Sequence, residues 1–69
     1  MQTYLVTFLR WPNSTTSIYQ STTQAESLRD AIRKEGIAAQ LRNGWKLVPV
    51  RVDVLNSDGC WENAWDSGL

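Results

Sequence analysis

Residues 23–36 read TQAESLRDAIRKEG, and where the helix within them begins and ends decides the fold. Thr23 is followed three positions later by Glu26, the spacing of a capping box in which the hydroxyl caps the first turn and the carboxylate reaches back. A helix is therefore predicted to start at Thr23. Ala25, Leu28 and Ile32 recur at helical spacing on one stripe, with Ala31 beside it. Gly36 stands where a left-handed C′ residue belongs, and Ile37 then falls opposite Ile32 as the apolar contact of a Schellman ending. Continuing the helix would throw Ile37 and Leu41 onto its polar face, so the predicted end is near Glu35.

Beyond that point the residues pull two ways. Ala38-Ala39-Gln40-Leu41 favours helix, whereas Asn43-Gly44 between Leu41 and Trp45 signals a tight turn, and residues 37–42 stay unassigned. From Trp45 to Leu55 the alternation of Val48, Val50, Val52 and Val54 against Pro49, Arg51 and Asp53 predicts a half-buried strand. Pro49 cannot donate to a ladder, so this strand begins late, bulges or lies at an edge. Asn56-Ser57-Asp58-Gly59 is a turn. Cys60 to Trp65 reads as a closing strand with Trp61 and Trp65 on one face, although their i, i+4 spacing also suits a short helix.

Toward the N-terminus, Thr3 to Trp11 places Tyr4, Val6 and Phe8 on one side of a strand and Leu5, Leu9 and Trp11 on the other, the pattern of a central, covered strand. Pro12-Asn13-Ser14-Thr15 supplies turn formers, and Thr16 to Thr22 resumes as a more polar strand closer to solvent. The expected fold is α+β in one domain spanning residues 1–69: a small antiparallel sheet with one helix packed across it, in the order ββαβ(β).

A chain of 69 residues buries only about 60% of its unfolded surface, so its stability is marginal. One cysteine, Cys60, and no histidine rule out an internal disulfide and the Cys/His sets of structural zinc. Without histidine, the hydrolase triads lose their base. Asp53, Asp58, Glu62 and Asp66 cluster around a turn without the spacing of a calcium loop, and a domain this small offers them little cleft for glycosidase chemistry. None of the four glycines forms a phosphate-cradling loop. The expectation is therefore a protein that is no enzyme and holds no cofactor or metal. A lone thiol suits a reducing compartment, and no apolar run reaches signal-peptide or membrane-spanning length. The expected location is the cytoplasm, with no membrane partner.

Seven basic residues balance seven acidic ones, which leaves no overall field toward nucleic acid. The balance is uneven along the chain: the first 51 residues carry a net +4 and the last 18 a net −4, which either marks a two-faced surface or pairs up in the fold. On the helix, Glu26 to Arg29, and Asp30 to Arg33 and Lys34, have the spacing of stabilising pairs and favour a solvated, internally paired face over a phosphate-binding stripe. The aromatic residues are in excess, with four tryptophans, two tyrosines and one phenylalanine. Tyr4, Phe8 and Trp45 are expected inside; Trp11 and at least one of Trp61 and Trp65 are expected accessible, because one helix and one sheet face cannot cover them all. The candidate binding residues are Arg10, Trp11, Arg42, Lys46, Arg51, Trp61 and Trp65. Tryptophan and arginine anchor protein interfaces, and interleaved they also stack single-stranded nucleic acid.

In layout, the chain resembles the small proteins that bacteriophages encode to interfere with host machinery, of the anti-CRISPR type. The residues that carry the likeness are Tyr4-Leu5-Val6-Thr7-Phe8, Gln24-Ala25-Glu26-Ser27-Leu28 with Ala31, and Asp58-Gly59-Cys60-Trp61. The resemblance implies a stoichiometric inhibitor or adaptor that docks on a host complex in the bacterial cytoplasm. A protein partner is the leading expectation; weak nucleic-acid binding that reads no sequence, and a homodimer with tryptophans across its own two-fold, are the alternatives.

Overall fold

A computed structural model describes residues 1–11, 18–44 and 46–67. The elements follow in the order β1 (Gln2–Trp11), β2 (Ile18–Ala25), α1 (Leu28–Asn43), β3 (Lys46–Leu55) and β4 (Trp61–Asp66). All neighbouring strands are antiparallel and their spatial order is β2-β1-β3-β4. The fold is thus α+β with the fourth strand present, and the sheet order departs from chain order because β3 returns beside β1 after the helix. No helix is long and apolar enough to cross a membrane among the described residues.

The helix begins later and ends later than predicted. Thr23, Gln24 and Ala25 complete β2, with Ala25 buried under the helix. Strand pairing to Gln2, Thr3 and Tyr4 outcompetes the capping box, and the cap falls instead to Ser27, whose hydroxyl accepts from the Asp30 amide at 3.2 Å. Asp30 also puts a negative charge in the first turn, where the helix dipole favours it. At the other end Gly36 lies within the helix, and it is Gly44 that takes the left-handed conformation, with φ 70° and its amide donating to the Gln40 carbonyl at 2.8 Å. Asn43-Gly44 therefore ends a helix rather than making a hairpin turn. The extension occurs because Gly36 and Ala39 let α1 lie close to the sheet: Gly36 sits over the Phe8 ring, and Ala39 is fully covered. Packing of those two residues outweighs the cost of leaving Ile37 and Leu41 in water, where Leu41 is 82% exposed.

Tyr4, Val6 and Phe8 of β1 and Val52 of β3 form the sheet side of the core beneath Leu28, Ala31 and Ile32, with Tyr19, Leu47, Val54 and Trp65 at its margins. Phe8 and Tyr19 meet with ring centroids 6.2 Å apart. Burying a side chain such as Phe8 or Val52 contributes about 1.5–3 kcal/mol, so these few residues carry much of the fold. Tyr4 and Phe8 are inside as expected; Trp45, Pro12 to Ser17 and the side chains of Arg10 and Trp11 lie outside the described residues.

Two β-bulges break the alternation that the sequence suggested. Thr7 pairs with Arg51 and Phe8 with Pro49, so Val50 is an extra residue in β3. A bulge moves every side chain beyond it to the other face. Hence Val52 is buried and Val54 packs against the core, while Val48 is exposed and Leu47 faces the helix in its place. Pro49, which has no amide to donate, stands at this irregularity. In β4 the pairs Val52 with Trp65 and Asp53 with Asn63 leave Ala64 extra. Trp61 and Trp65 consequently occupy opposite faces, contrary to the prediction of a shared one. The β3–β4 turn is closed by Asn56, whose Oδ1 accepts from the amides of Asp58 and Cys60, both at 3.0 Å, while Gly59 takes φ 80°.

Candidate functional site

One helix covers one face of the sheet, and among the described residues no element covers the other. Register defines what that open face displays, since directly opposed residues share a face. Across β2, β1 and β3, Ile18 stands beside Leu9 and Leu9 beside Val48, an apolar row at one end. At the other end Leu55 pairs with Trp61, and Trp61 is 44% exposed. Ile18 is 67% exposed.

Between these apolar ends the face is mainly polar, with Leu5 standing between Thr22 and Asp53. The Gln20 amide donates to Thr7 Oγ1 at 3.2 Å. Arg51 Nε donates to Asp53 Oδ1 at 3.0 Å, and Asn63 Nδ2 reaches the same oxygen at 3.4 Å. Asp53 is the one buried charged residue among those described, 6% exposed. Its carboxylate is tolerated because two donors satisfy it, as a buried charge requires. Asn63 also donates to the Trp65 carbonyl at 3.2 Å, beside the extra residue Ala64, which ties the polar centre to the second bulge. Asp66 is paired with Arg51 in register, so the middle of the face carries Asp53 and Asp66 against a single arginine.

The predicted binding residues do not converge. Lys46 opens β3 opposite Trp11, and Arg10 pairs with Leu47, while Arg42 is exposed in the last turn of α1. Trp61 lies opposite Leu55 at the far end of β3, nine residues on from Lys46, or roughly 30 Å at about 3.3 Å per residue. Arg51 sits between them, engaged with Asp53. Trp65 is half-buried against the core, so it serves the fold first. Of the predicted set, Lys46, Arg51 and Trp61 stand on the open face. Ile18, Val48 and Leu55, which complete that face, were missed; the signal for Val48 was Pro49, whose missing amide announces the bulge that turns Val48 outward.

The remaining surface features are engaged locally. Asp30 and Arg33 pair at 3.8 Å on the exposed side of the helix, and Lys34 Nζ donates to the Gln24 carbonyl at 3.3 Å. Glu26 lies before the helix rather than in it, so the expected pairing with Arg29 within one helix does not form. Glu35 accepts from the Ser21 hydroxyl. Of the expected helix pairs, Asp30 with Arg33 forms; Lys34 and Glu35 reach β2 instead. Asp30, Arg33 and Lys34, so engaged, line an open groove of about 460 Å³ together with Gln24, Glu26, Ile37 and Met1. Cys60 is exposed in the turn. Among the described residues no group of three or more His, Cys, Asp or Glu side chains gathers closely enough to hold a metal ion. Comparison of the chain with protein-family models, with curated proteins and with solved structures finds no match to any of them.

Proposed function

We propose that this chain is a small non-enzymatic binding protein, phage or prophage derived, that docks on a host macromolecular complex through the uncovered face of its sheet. The observation that carries the proposal is the exposure of Ile18, Val48, Leu55 and Trp61 on a face that the helix leaves bare. Exposed aromatic side chains such as Trp61 are enriched among the anchors of protein interfaces. The charge of the face favours a protein over nucleic acid. Asp53 and Asp66 balance Arg51 and Lys46 there, and phosphate binding draws its affinity from unopposed cations.

The test compares the wild-type chain with Trp61→Ala and Ile18→Asp in pull-downs from bacterial lysate, with and without nuclease. Circular dichroism should show both variants folded, because both positions are exposed. Capture of one protein species should survive nuclease and weaken at least about fivefold in each variant, equivalent to about 1 kcal/mol at a hot spot. Capture that nuclease abolishes, or that neither variant weakens, would overturn the reading.

A further inference from the structure

The two outer strands of the sheet are built differently. β4 is six residues long, carries Glu62 and Asp66, and is interrupted by the bulge at Ala64. Shortness, charge and a bulge are the devices by which an edge strand refuses further pairing. β2 has none of them: its eight residues, Ile18–Ala25 with sequence IYQSTTQA, contain no charge and no proline, and its pairing with β1 runs without irregularity from Gln2 to Leu9. Among the described residues no strand lies on its outer side. Lys34 closes one end through the Gln24 carbonyl, and Gln20 and Thr22 before it are exposed.

We infer that the β2 edge is a self-association surface, which pairs antiparallel with β2 of a second copy to make a continuous eight-stranded sheet with both helices on one side. A second copy fits this edge, because the strand carries no charge to set against its own mate. In a two-fold pairing about Ser21, Gln20 meets Thr22 and Ile18 meets Gln24; any other register of this strand against itself is equally neutral, so no like charges oppose each other. The same operation on β4 about Ala64 would set Glu62 against Asp66. The helix adds a second contribution. Lys34, Ala38 and Leu41 follow one another on a single stripe at i, i+4 and i+7, and the contact of Lys34 with Gln24 places that stripe on the β2 side. Pairing of the strands brings it toward its two-fold mate and covers Leu41, the most exposed apolar side chain described after Met1. The contact is isologous, as closed dimers require.

The experiment is sedimentation equilibrium of the full chain from micromolar to sub-millimolar concentration. Dimers are expected in the wild type. Thr22→Lys, exposed at the centre of the edge, should weaken dimerisation about tenfold or more, because the two lysines stand on one face, diagonally across the two-fold and within reach of each other. Thr22→Glu should do the same, and an equimolar mixture of the two should recover association, which separates a lost interface from a lost fold. Ala64→Lys on the other edge should leave the dimer unchanged. A wild type that stays monomeric throughout, a dimer indifferent to Thr22→Lys, or a mixture that fails to recover would overturn the assignment.

Discussion

Gly36→Ala tests the extent of the helix, because it has one sign if the helix runs through position 36 and the opposite sign if it stops there. In the structure Gly36 is interior to α1, and a β-carbon added there would lie 3.8 Å from Phe8 Cε1 and 4.0 Å from Phe8 Cζ, ordinary contact distances. Alanine in a helix interior is favoured over glycine by about 1 kcal/mol, and partial burial of the new methyl against Phe8 adds some tenths of the ~0.8 kcal/mol that full burial brings. The variant should be more stable by about 1–1.5 kcal/mol. In a domain of this size that raises the melting temperature by roughly 4–10 °C. Gly44→Ala is the control, since nothing lies within 4 Å of its added carbon but its φ is 70°. Its cost is purely conformational, about 1 kcal/mol in the destabilising direction. Urea melts followed by circular dichroism measure both. A Gly36→Ala midpoint below wild type would mean that the helix breaks at Gly36, and the account of α1 given above would be refuted.

Ser27→Ala should lower stability by about 1 kcal/mol through loss of the N-cap, whereas Thr23→Ala should leave helix content by circular dichroism unaltered; the reverse result would return the cap to Thr23. Asp53→Ala should cost about 1–2 kcal/mol, because the hydrogen bonds from Arg51 and Asn63 to a buried carboxylate are lost, and a urea midpoint equal to wild type would show that this polar centre contributes nothing to the fold.

The presence of a helix, of three strands and of a turn at Asn56 to Gly59 was legible because each rests on local chemistry: apolar residues at period 3.6 or 2, and residues that tolerate a turn. So was the burial of Tyr4, Val6 and Phe8, since consecutive odd and even positions of β1 must face opposite sides. The cap was misplaced because Thr23 and Ser27 are both competent hydroxyl caps, and the choice between them belongs to the strand: the partners in β1 that hold Thr23 to Ala25 in β2 are some twenty residues away in sequence. Gly36 was equally ambiguous, and what holds the helix together there is Phe8 beneath it, a residue of another element.

The binding surface follows the same division. That a tryptophan would remain accessible could be argued from volume alone. Which one, and in whose company, was settled by two inserted residues, Val50 and Ala64, each of which reverses the facing of everything beyond it in its strand. Four valines at perfect alternation thus end on different faces, and two tryptophans four apart are parted by the sheet. By itself the sequence determined the elements, the inward face of the central strand and the charge balance, because these depend on neighbours in the chain. The tertiary structure alone decided the helix ends, the register and the open face, because those depend on pairing between strands that local periodicity does not encode.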